Sequence, residues 1–191
     1  MPPIVNNNPL DQLSSGVPIQ FDSLVVLAGL LTVAVYFEIK ENRIPNWLTL
    51  SGMTLGLIIG YLHIHDADGH MRFASSIVGL VIGFGFLFIF YVFGGIGGGD
   101  VKLMGAAGTL MGGHLTLIAL FYTAIIGAFL AVMMTVWRKD FWAQIAWGFK
   151  RLAFWHESKA PPAGYVPTTV PYGLAIAIGC LVALLLERPV A

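Results

Sequence analysis

The sequence predicts an all-α, polytopic membrane protein with about six transmembrane helices, and three observations lead there. Hydrophobic residues make up 57% and charged residues only 10% of the 191-residue chain, against roughly a quarter charged in an ordinary soluble domain. A soluble core cannot absorb that excess. The apolar residues fall in runs of about 15 to 22, separated by Gly, Pro and short charged segments, and helices of that length cross a hydrocarbon layer of about 30 Å. The basic residues collect in alternate loops, as they do on the two faces of a membrane. Lys plus Arg and Asp plus Glu both total 10, so the net basic charge of a nucleic-acid-binding chain is absent.

Residues 1–22 contain Asn6, Asn7 and Asn8 and no Lys or Arg. They lack the basic start of a cleavable signal peptide and read as a polar tail. Residues 23–191 read as one membrane domain, with spans at 23–39, 47–62, 73–93, 101–111, 115–137 and 171–186, the fourth short and Gly-rich. With the N-terminus outside, the inner loops hold Lys40, Arg43, Lys102, Arg138, Lys139, Lys150, Arg151 and Lys159, and the outer side only Arg72 and Arg188. Omitting the short fourth span would scatter this group over both faces, so the span is counted, and both termini are expected outside the cytoplasm. Within 139–160, Phe141, Ile145, Phe149, Leu152 and Trp155 recur near helical spacing among basic residues and tryptophans. That pattern predicts an amphipathic helix lying in the inner interface, and the prolines of 161–169 end it.

Two acids stand at membrane depth. A helix from Asp22 to Lys40 rises about 27 Å, which brings Glu38 to the inner boundary, where a carboxylate is either functional or an interface anchor paired with Lys40 or Arg43. Asp100 follows Gly97, Gly98 and Gly99 and is expected to open a new helix, acting as its N-cap. The glycine run is not a phosphate loop: the last Gly of GxGxxG is missing, no GK[ST] follows, and a carboxylate at the helix start repels phosphate. The predicted topology sets Glu38 and Asp100 on the same inner face, and two acids sharing a site support water activation by one and carbonyl polarisation by the other. Lys102 reads as a headgroup anchor or a contact for a substrate acid and stays outside the catalytic set. His63, His65, Asp66, Asp68 and His70 are metal-ligand types, but they lie in an outer loop with no second cluster to complete a coordination shell. No metal or other cofactor is expected. The single cysteine, Cys180, lies in an apolar run and reads as a buried, inert thiol.

The run R-I-P-N at 43–46 after an acidic residue, and G-G-G-D-V-K-L-M at 97–104, resemble the two signatures of the type IV prepilin peptidase family. These are GxGD-type membrane aspartyl proteases. V-P-Y-G-L-A-I-A-I-G at 170–179 is similar to the start of the family's last helix. The resemblance implies an intramembrane endopeptidase with Glu38 and Asp100 catalytic, and an active-site loop of Gly97, Gly98 and Gly99 with Arg43, Pro45 and Asn46 beside it. It also implies prepilin or pseudopilin substrates cleaved at the cytoplasmic face of the bacterial inner membrane. The family usually has Asp where this chain has Glu38. The N-terminal methyltransferase region of longer members, with its paired CxxC motifs, has no counterpart here, so the chain resembles the short forms that accompany Flp or tight-adherence pili. Two other readings fit the residues: a family member without proteolysis that serves pilus assembly, and a small ion-coupled transporter with a broken helix.

Overall fold

The computed structural model describes residues 21–62, 69–92, 96–136 and 172–186. The tail before residue 21, Gly94 and Gly95, residues 63–68 with His63, His65, Asp66 and Asp68 of the loop cluster, the amphipathic segment 139–160 and the linker 161–169 lie outside what is described. Six helices run through the described residues: α1 (Phe21–Glu41), α2 (Asn46–Leu62), α3 (Gly69–Val92), α4 (Gly98–Met111), α5 (Gly113–Val136) and α6 (Tyr172–Leu186). They coincide with the six expected spans, and the protein is an all-α membrane protein. Three stretches are long and apolar enough to cross a membrane on their own, namely Phe21–Glu41, Arg72–Val92 and Gly113–Met133, whereas α2 and α6 are shorter apolar helices. Leu50, Ile58, Val81, Phe121, Phe129 and Leu181 are more than half exposed on the outside of the bundle, a surface that lipid tolerates and water does not.

Each helix end has a local cause. Asn42 adopts φ 50 and donates its N–H to the Glu38 carbonyl at 2.9 Å, closing α1 with the left-handed residue that Asn tolerates. Pro45 then prevents Ile44 from continuing the helix, and its carbonyl accepts the N–H of Leu48 at 3.2 Å to begin α2. Gly112 alone separates α4 from α5. Its φ of 77 belongs to glycine, and its carbonyl takes both the N–H of Thr116 at 3.1 Å and the Thr116 hydroxyl at 2.6 Å. The three-residue gap expected from hydropathy therefore shrinks to one residue.

The fourteen residues of α4 rise about 21 Å, too little to span the hydrocarbon unaided. From Val101 to Met111 every residue except Lys102 is buried, because α3 and α2 pack closely around this helix. Small residues permit the approach. A Cβ on Gly108 would strike the carbonyl of Gly79, and a Cβ on Gly79 would strike the carbonyl of Gly108, so α3 and α4 touch backbone to backbone as small-residue stripes allow in lipid. Gly83 repeats the contact against the Met104 carbonyl, where an added Cβ would stand 2.6 Å from the oxygen.

Gly108→Ala is expected to push α3 from α4 at a cost of about 1–3 kcal/mol, lowering Tm in detergent by about 5 °C. Gly29→Ala, with nothing within 4 Å of the added Cβ, should leave Tm unchanged or slightly raised. Thermal unfolding of the two variants checks this, and equal shifts would remove the backbone crossing as the cause.

Candidate active site

Buried positions on α1 are Ser23, Leu27, Leu30, Ala34 and Glu38, a single stripe at helical spacing. The stripe that packs α1 therefore also carries Glu38 inward, and its residue is 7% exposed. Its two carboxylate oxygens accept hydrogen bonds from successive backbone N–H groups at the start of α6, Oε1 from Gly173 at 2.8 Å and Oε2 from Leu174 at 2.9 Å. Those donors have no intrahelical acceptor, and the helix dipole favours an anion beside them. Each such bond to a charged acceptor contributes about 1.5–3 kcal/mol, against roughly 3 kcal/mol for a charged residue in a membrane helix, so the pair is enough to hold the acid there. Lys40 points elsewhere, donating to the Tyr36 hydroxyl at 3.3 Å, and Arg43 is exposed. The anchor reading of Glu38 is replaced by a tie between α1 and α6.

Asp100 lies in the first turn of α4 and is 8% exposed. The expectation that it caps the helix is corrected: the N-cap is Gly97, extended at φ −73 and ψ 145, and the Asp100 N–H donates to the Gly97 carbonyl at 3.1 Å. The Asp100 side chain turns back to the Gly97 N–H, the reciprocal half of a capping box. Crowding explains the start of α4 one turn early, because three successive glycines let neighbouring segments close over it. A Cβ on Gly98 would stand 3.3 Å from the Tyr91 ring, and one on Gly99 3.2 Å from Cβ of Ile44. The R-I-P-N loop and the end of α3 thus rest on the GxGD turn.

Three ends meet here. The carboxylates of Glu38 and Asp100 lie within electrostatic reach of each other, and the Tyr172 phenol lies within reach of Asp100. The Tyr172 ring rests on α5, where a Cβ on Gly127 would stand 2.8 Å from Cε1. Asn46 accepts a hydrogen bond from the Lys102 ammonium at 2.9 Å through Oδ1, joining the starts of α2 and α4. That contact gives Lys102 a role in the fold that its sequence position did not suggest. Gly97, Gly98, Gly99, Pro45 and Asn46 are therefore brought to the same end of the bundle as the two acids. Tyr172, Gly173 and the Leu174 N–H were not anticipated as site groups; the P-Y-G run at 171–173 was their signal. Among the described residues no group of three or more His, Cys, Asp or Glu could hold a metal ion.

The model of a family described as the type IV leader peptidase family matches residues 25–132. The chain belongs to the type IV leader peptidase family. No curated protein and no solved structure matches it. The match to the leader peptidase family runs from α1 into α5 and includes Glu38, the R-I-P-N loop and Asp100. It ends before α6, so the hold of α6 on Glu38 is read from the structure of this chain. Membership brings the coarse activity, that of a leader-peptidase-like protease, and a membrane location with it.

The Asn46–Lys102 contact is exposed and should contribute about 1 kcal/mol. Asn46→Ala and Lys102→Met are each expected to lower Tm by about 3 °C, and the double variant by little more than either. Additive shifts in thermal unfolding would show that the two side chains do not act as a pair.

Proposed function

We propose that this protein is an intramembrane aspartyl-type endopeptidase that removes the leader of prepilins or pseudopilins, with Glu38 and Asp100 as its acid pair. The observation that carries the reading is that two buried carboxylates, from helices far apart in sequence, stand within electrostatic reach of each other at one end of the bundle in a member of a leader peptidase family. The chemistry needs one carboxylate ionised and one protonated. The ionised member takes a proton from water as the oxygen attacks the scissile carbonyl carbon, while the protonated member gives its proton to the carbonyl oxygen. The tetrahedral intermediate then collapses. Its C–N bond breaks, the amine leaves with a proton from the acid that accepted one, and the diol proton returns to its donor. The pair ends as it began, and one water has been consumed.

The basic loops support a cytoplasmic site in the bacterial inner membrane, because Lys40, Arg43 and Lys102 share the end that carries the acids. Both termini then lie outside the cytoplasm. Gly97, Gly98, Gly99, Arg43, Pro45 and Asn46 form the rim over which a substrate segment approaches.

Co-expression with a prepilin from the same genome, followed by mass spectrometry of the pilin, tests the reading. Glu38→Gln and Asp100→Asn are each expected to slow leader removal by roughly 10²–10⁴-fold while the protein remains in the membrane. Cleavage retained in either variant removes that residue from the pair, and an intact leader with the native chain removes the peptidase reading.

A further inference from the structure

Residue 38 ends in a carboxylate with little freedom. Oε1 and Oε2 each hold one N–H of the first turn of α6, at 2.8 and 2.9 Å. Both bonds lie near the middle of the hydrogen-bond range, and a retraction of about 1 Å would take both beyond it. One methylene is a step of about that size, so aspartate at this position cannot keep both donors without movement of α1 or α6. The space the carboxylate occupies exists because residue 173 has no side chain. A Cβ there would stand 2.6 Å from Oε2, 3.1 Å from Cδ and 3.2 Å from Oε1 of Glu38. Its three nearest neighbours are thus atoms of that one carboxylate. A methyl at 173 would press on Glu38 first.

We propose that Gly173 is a positioning residue for Glu38, and that glycine at 173 and glutamate at 38 form a matched pair that sets where the carboxylate stands relative to Asp100. The first turn of α6 supplies the donors, the bare Cα supplies the room, and only a side chain as long as glutamate fills it from α1. The backbone donors are aimed by α6, whose buried face of Gly173, Ile176, Gly179, Cys180 and Ala183 packs into the bundle. The position of the acid is therefore set by helix packing rather than by a mobile side chain. The inference deepens the reading of Glu38 and Asp100 as the acid pair and rests on that reading for its kinetic test.

Two measurements on the purified full-length chain test it. In cleavage of a prepilin, Gly173→Ala is expected to lower kcat about a hundredfold, the effect of a misplacement of about 1 Å, with KM within about threefold. Glu38→Asp should fall by a similar factor. The double variant should be no more than about threefold worse than Glu38→Asp alone, since the shorter side chain vacates the space the methyl takes, whereas independent losses would multiply to about 10⁴-fold. The second measurement needs no activity. Gly173→Ala should lower Tm when residue 38 is Glu and leave it unchanged in the Glu38→Ala background, where the methyl meets no carboxylate. Multiplying kinetic losses, or an equal Tm shift in both backgrounds, would show that Gly173 serves helix packing alone and would overturn the pairing. Coupled Tm shifts in a chain that leaves every prepilin intact would support the pairing and remove the peptidase reading. Asp100-dependent cleavage without coupling would keep the peptidase and remove the pairing.

Discussion

A carboxylate buried at the rim of an apolar bundle must find its hydrogen-bond donors inside the chain, and much of the architecture meets that requirement at Glu38. The donors are the first N–H groups of α6, which themselves lack acceptors. Each side satisfies the other, across 135 residues of sequence between Glu38 and Gly173. The bond thereby ties the first described helix to the last. Asp100 meets the same requirement locally by turning to the Gly97 N–H, while the Lys102 ammonium donates to Oδ1 of Asn46. With these ties the ends of α1 and α3 and the starts of α2, α4 and α6 gather at one end of the bundle.

The interior that carries these groups is built on close approach. In lipid, helices gain little from hydrophobic burial against one another, so packing and backbone contact hold them together. The glycines of α2, α3 and α4 provide that contact. Two buried threonines do not disturb it, since the Thr109 hydroxyl donates to the Ala106 carbonyl at 2.7 Å and that of Thr116 to Gly112 at 2.6 Å. Each returns its proton to its own helix or the turn before it and needs no partner from outside.

Hydropathy made the helices legible because the membrane imposes one length and one polarity on every lipid-facing run. The burial of Glu38 was also legible, since 23, 27, 30, 34 and 38 lie on one helical stripe. Three features were hidden. The register of α4 is set one turn earlier than the general preference of Asp for caps suggests, because the cap is Gly97, where an added Cβ would stand 2.9 Å from Oδ2 of Asp100, while Tyr91 and Ile44 close over Gly98 and Gly99. The start of α5 at Gly113 falls in the gap that hydropathy leaves at 112–114, because hydropathy does not register a turn made by a single residue at positive φ. The partner of Glu38 was missed because it is a pair of backbone N–H groups, which carry no residue signature; only the absence of a side chain at Gly173 marks them.

The crossing of Gly79 and Gly108 has a consequence for the way the membrane acts on the site. Asp100 stands a little over two turns, about 12 Å, from that contact along a continuous helix. Its depth is thus referenced to the backbone of α3 and not to the surrounding lipid. The long outer helices answer a thicker or thinner bilayer by tilting, while α4, enclosed on its length, keeps its register against its neighbour. The protein carries its own measure of depth, and the bilayer is only what holds it.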